Sequence, residues 1–169
     1  MGDNIYLGDR NGVRTPMQWS PDRNAGFSGT NPQQLFLPVI IDLDYRYETI
    51  NVEMQARNPH SLLAWMKQLI RVRRQSPALG RGTLEPLRPV NQKVLAFVRR
   101  LGAESILVVA NLSGRAQYVE LDLAALASLT PVELFGKSRF PTIQQTPYLL
   151  TLSPHAFFWF ALEPDASND

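Results

Sequence analysis

Residues 14–27 read Arg-Thr-Pro-Met-Gln-Trp-Ser-Pro-Asp-Arg-Asn-Ala-Gly-Phe. Pro16, Pro21 and the Asn24-Ala25-Gly26 run break both helical and strand periodicity, so the segment reads as a loop. It nevertheless concentrates a guanidinium (Arg14), a carboxamide (Gln18) and an indole (Trp19) within six positions. Those groups suit a sugar: a fork of donors for hydroxyls, a two-way hydrogen bonder, and a flat apolar face for ring C–H bonds. A loop of this make-up belongs at the rim of a site and not in a core.

The flanking sequence extends the irregularity. Residues 1–59 are punctuated by glycine and proline with Asp and Asn between them. A structureless loop this long is improbable in a self-contained domain; such loops are functional or belong to something larger. A helix follows. Asn58 is its expected N-cap and Pro59 its first residue. Leu62, Leu63, Met66, Leu69 and Ile70 then recur at helical spacing, widened by Trp65 and Val72, and Ser76-Pro77 stops the run. Trp65 and Met66 are expected to pack in a core.

From Gly82 the texture changes. Residues 83–87, 93–101, 105–112, 118–123, 131–134, 148–152 and 156–162 read as strands, with a hairpin at Gly102-Ala103. The expectation is an α+β chain: 1–80 irregular and helical, 81–162 an antiparallel β-sandwich, 163–169 a polar tail.

Composition excludes several chemistries. With 169 residues, 44% hydrophobic and 19% charged, the chain is globular, and a net charge of +2 supports no nucleic-acid stripe. It has no cysteine, which excludes disulfides and thiol chemistry and agrees with a reducing cytoplasm. No apolar run approaches the ~20 residues that span a bilayer, so no membrane partner is expected. His60 and His155 lack partners at metal-ligand spacing, and there is no GxSxG or phosphate-binding loop; neither metal nor cofactor is expected. Asp3, Asp9, Asp22, Asp42 and Asp44 follow no barrel-strand pattern, so solvated or capping roles are expected. In Phe157-Phe158-Trp159-Phe160 alternation makes both faces apolar, the mark of a strand packed between layers and not of a sugar platform. Asn111-Leu112-Ser113 matches a glycosylation sequon, as short runs often do by chance.

The opening 27 residues, MGDNIYLGDRNGVRTPMQWSPDRNAGF, resemble the stretch after the last barrel strand in trehalose synthases of the α-amylase superfamily. The landmarks continue in the family's order through Leu37-Pro38-Val39-Ile40, residues 50–55 and Pro59-His60-Ser61-Leu62-Leu63. Residues 93–97, 108–113 and 147–152 resemble the family's C-terminal β domain. The resemblance implies the end of a (β/α)8 barrel, its last loop and eighth helix, followed by that domain. It implies a longer enzyme interconverting maltose and trehalose by intramolecular transglucosylation, with retaining chemistry through a glucosyl-enzyme.

The family's three catalytic carboxylates sit in motifs on barrel strands four, five and seven. None of those motifs occurs here, so no catalytic residue is assigned, and the chain alone is expected to be inactive without its barrel. Arg14 is the position that matches the family's acceptor-side arginine, which closes the pocket through an acidic partner. Gln18 and Trp19 would support that loop, and Asp9 and Arg10 would lie at its rim. Closure matters because water reaching the glucosyl-enzyme would turn isomerisation into hydrolysis. Two other readings stay open: a hydrolysing α-glucosidase or amylase relative, and a non-enzymatic β module that binds glycan.

Overall fold

Past Gly82, β-branched and aromatic residues alternate with turn formers, and the computed structural model of the chain, which describes residues 8–165, forms all seven expected strands there. They are β1 (Thr83–Leu87), β2 (Val94–Leu101), β3 (Glu104–Asn111), β4 (Gln117–Leu121), β5 (Leu129–Glu133), β6 (Tyr148–Leu152) and β7 (Phe157–Pro164). Every pairing is antiparallel. One sheet has five strands in the order β1-β2-β3-β7-β5, and β4 pairs with β6 in a second. Gly102, at φ +56°, turns the β2–β3 hairpin as expected. β7 runs two residues past its expected end at Leu162 and pairs Glu163 with Thr130, so the expected tail begins inside a strand. Residues 166–169 lie outside the described residues.

The two sheets enclose one core. Leu107, Val109, Phe160 and Leu162 from the larger sheet meet Val119, Leu121, Leu150 and Leu152 from the smaller. That is the expected sandwich. The opposite face of β3 and β7 carries Ile106, Val108, Trp159 and Ala161 and is covered by Val72, Ala78, Leu134 and Phe135. Burial on both faces explains why β3 reads as an unbroken apolar run. It also settles the aromatic run: Trp159 rests 5.4 Å from Phe135, and Phe158 and Phe160 lie 5.4 and 4.8 Å from Phe140. Those rings pack, and none is a free platform.

The helices are α1 (Val52–Arg57), α2 (Leu62–Gln75) and α3 (Pro77–Arg81). α1 is a short helix that the sequence reading placed in the loop. Asn51 caps it: buried, it accepts from Met54 N at 2.8 Å while its Nδ2 donates to Tyr47 O at 2.7 Å. α2 starts three residues later than expected. Ser61 and not Asn58 caps it, with Oγ accepting from Ala64 N at 3.1 Å and donating to Gln55 O at 2.7 Å. Asn58 instead closes a turn by accepting from His60 N. Ser76-Pro77 does end α2, but Pro77 also opens α3, where a missing N–H is harmless.

The chain divides into two compact units, 1–69 and 70–169. The division falls inside α2, where Val72 and then Ala78 join a buried cluster with β3. Along α2, Leu62, Trp65, Met66 and Ile70 are all exposed, at 68, 37, 43 and 48%. The core role expected for Trp65 and Met66 is therefore not filled among the described residues.

Candidate functional site

Arg14 caps the short 3-10 turn Asp9–Val13 with extended backbone. Its guanidinium is exposed and makes no hydrogen bond or ion pair among the described residues. Arg10 lies in that turn, exposed. The side chain of Asp9 is outside what the structure describes.

Gln18 is a clasp. Its Nε2 donates to Ile50 O and, at 3.2 Å, to Tyr45 O, and its own carbonyl accepts from Val52 N at 2.9 Å. The amide thus ties the loop to the turn before α1. With both donors used internally, the side chain has only Oε1 to offer a ligand, and that atom is buried without a partner. Such an acceptor costs about 1–3 kcal/mol unless a donor reaches it.

Trp19 is gripped by its backbone and half exposed. Its N–H donates to Ala25 O at 2.8 Å and its carbonyl accepts from Glu53 N at 3.0 Å, while the residue stays 50% exposed. Gln18 and Trp19 are therefore brought together on one anchored strip that also starts α1. Among the described residues no hydrogen bond or ion pair links Arg14 to that strip.

Residues 24–26 read in the sequence only as loop formers, and their part in the site was missed. Asn24, Ala25 and Gly26 all have positive φ, 55, 61 and 66°. Left-handed backbone disfavours L-residues other than Gly and Asn, so Asn-Ala-Gly was a readable signal with one discordant member. Asn24 and Ala25 are buried, and Asn24 Nδ2 donates to Ser28 O at 2.9 Å and Thr30 O at 2.7 Å. Gly26 is needed twice over, since a Cβ there would sit 2.3 Å from Ser20 Oγ.

Two acids of this half are used locally, and Asp44 contributes its backbone N–H. Asp22 accepts from Ser20 Oγ at 2.8 Å, and Asp42 closes a turn by accepting from Asp44 N at 2.9 Å. Asp3 is outside the described residues. No cluster that could hold a metal occurs among the described residues. No helix among them is long and apolar enough to cross a membrane.

Comparison with known proteins fits this layout. The α-amylase catalytic-domain family matches residues 3–82, and the maltogenic amylase C-terminal domain matches residues 84–159. The junction coincides with the start of β1. The chain belongs to the α-amylase superfamily of glycoside hydrolases. Within it, the chain is similar to trehalose synthases over almost its whole length. It is 53% identical to the trehalose synthase of Pimelobacter sp. across 99% of this chain and 30% of that protein. To the trehalose synthase/amylase of Mycobacterium tuberculosis it is 50% identical across 96% of this chain and 28% of that protein. A crystal structure of isomaltulose synthase from Erwinia rhapontici superposes with a TM-score of 0.65 at 30% identity, over 92% of this chain and 26% of that one. The chain thus spans less than a third of the length of these relatives.

Proposed function

We propose that this chain provides the last barrel loop, the eighth helix and the C-terminal β domain of an enzyme that interconverts maltose and trehalose by intramolecular transglucosylation. The observation that carries the reading is the match to trehalose synthases across nearly all of the chain, at about half identity. The catalytic carboxylates would come from the rest of such an enzyme. This chain's residues bind, orient and exclude water.

Arg14 keeps its guanidinium free for that work. Facing an acidic partner, it would close the acceptor side and hold the released glucose for re-attack at a new hydroxyl. Trp19 would offer its exposed ring to sugar C–H bonds, and Arg10 and Asp9 would flank the entrance. Gln18 contributes by holding the strip in place. The Leu62, Met66 and Ile70 stripe supports the same reading, because an apolar face at i, i+4, i+8 suits a helix laid against a barrel. The cysteine-free composition suits a cytoplasmic setting.

A hydrolytic reading is the second candidate, favoured by the double name of the mycobacterial relative, synthase and amylase. One experiment separates the two. A chimera is made in which this chain replaces the matching stretch of the Pimelobacter enzyme, and its products from maltose are counted. The proposal expects trehalose in excess over glucose. Glucose alone would favour hydrolysis, and a folded chimera that leaves maltose unchanged would refute both.

A further inference from the structure

We propose that Asn24 is a positioning residue whose buried carboxamide holds Trp19 in place as a fixed apolar wall for a hexopyranose ring. The sugar-facing part rests on the function proposed above; the clamp itself does not.

The mechanical link is continuous. Three consecutive left-handed residues, one of them Ala25, would unwind if nothing held them. Asn24 Nδ2 holds them by donating to the carbonyls of Ser28 and Thr30, which folds residues 24–30 back on themselves. The turn so formed aims the Ala25 carbonyl at two donors, Trp19 N at 2.8 Å and Ser20 N at 3.1 Å. On the far side Trp19 O receives Glu53 N from α1. Trp19 is thus pinned from both flanks while half of it remains exposed. A rigid backbone under an exposed indole is what a stacking wall needs, since an ordered ring loses little entropy when sugar arrives.

Two substitutions separate conformation from clamp. Asn24→Gly keeps access to positive φ and deletes both donors. Asn24→Asp keeps shape and left-handed tolerance but turns the donor into an acceptor facing two carbonyl oxygens. The chain of 169 residues is labelled with 5-fluorotryptophan, and the Trp19 signal is assigned by its loss in Trp19→Phe. Both Asn24 variants are expected to shift or broaden the Trp19 signal and to leave that of Trp159, in the β domain, unmoved. In the chimera they are expected to raise the KM for maltose by about tenfold and to change kcat by less than about threefold, as lost ground-state binding does. They are also expected to lower the trehalose-to-glucose ratio.

An unchanged Trp19 signal in both variants would overturn the clamp. A lowered melting temperature with an unchanged signal would do the same, since that is all a merely stabilising residue would show. A moved signal with unaltered KM and product ratio would leave the clamp standing and remove the sugar from the argument.

Discussion

Replacing Gln18 by glutamate tests how the loop is anchored. Gln18→Glu is isosteric but exchanges the amide donor for a carboxylate oxygen directed at Ile50 O and Tyr45 O. Two hydrogen bonds are lost, each worth about 0.5–1.5 kcal/mol net, and two carbonyls then face a like partial charge. The local penalty is about 2–4 kcal/mol, or roughly 30- to 700-fold in the opening equilibrium. It should fall on the backbone bonds beside the clasp, Val52 N to Gln18 O and Glu53 N to Trp19 O. Amide hydrogen exchange at Val52 and Glu53 reads this directly. Protection there should drop by that factor, while the β-sheet amides of Leu107 and Val109 keep theirs. Acidification gives a control, because a protonated glutamic acid regains one donor and should restore part of the protection. Exchange at Val52 and Glu53 within about threefold of the parent chain at neutral pH would refute the clasp, since the lost bonds imply far more.

Three other outcomes are expected. Asn111 is buried, with Nδ2 donating to Arg115 O and Ser153 O at 2.7 and 2.9 Å and Oδ1 accepting from Ser113 N and Oγ at 2.9 and 2.8 Å. Asn111→Ala should cost about 3 kcal/mol in urea unfolding, and the folded chain should take up no glycan at this sequon despite its match. Burial raises the Tyr148 phenol above its ordinary value of 10.0, and its hydroxyl donates to Pro141 O at 2.9 Å. The unfolded chain then ionises first, so stability is intact below pH 10.0 and falls as pH rises through the folded value. Tyr148→Phe should flatten that alkaline fall in urea titrations at pH 9 and 11. Arg14→Ala should leave the unfolding midpoint of this chain almost unchanged, within about 0.5 kcal/mol, as an exposed unpaired side chain implies. In the chimera the same change should raise the KM for maltose at least about tenfold.

The β domain was legible because its signals are local. Alternation, turn residues and the two-sided apolar runs of β3 and β7 fixed seven strands to within two residues at every end, and the hairpin glycine stood where expected. The helix ends were not. Asn58-Pro59 is a good N-terminal signal, but Ser61 wins because its hydroxyl serves two backbone groups at once and Gln55 Oε1 takes the next donor, Leu63 N. α1 escaped notice because six residues carry too little periodicity to rise above loop composition. Of the candidate site, the residues were readable and their long-range partners were not. Composition offered Gln18 as a hydrogen bonder for a sugar and the resemblance gave it to the support of the loop; its long-range bonds to residues 45 and 50 show how that support is built. Asn24 was passed over because its significance lies in backbone angles that no side-chain inventory displays.

Maltose conversion, measured side by side for the 169-residue chain and for the chimera with the Pimelobacter enzyme, tests the division of labour most directly. The chain alone should release neither trehalose nor glucose, and the chimera should make trehalose. Sugar turnover by the unaided chain would contradict the proposal that the reacting carboxylates lie elsewhere. So would a well-folded chimera that never converts maltose.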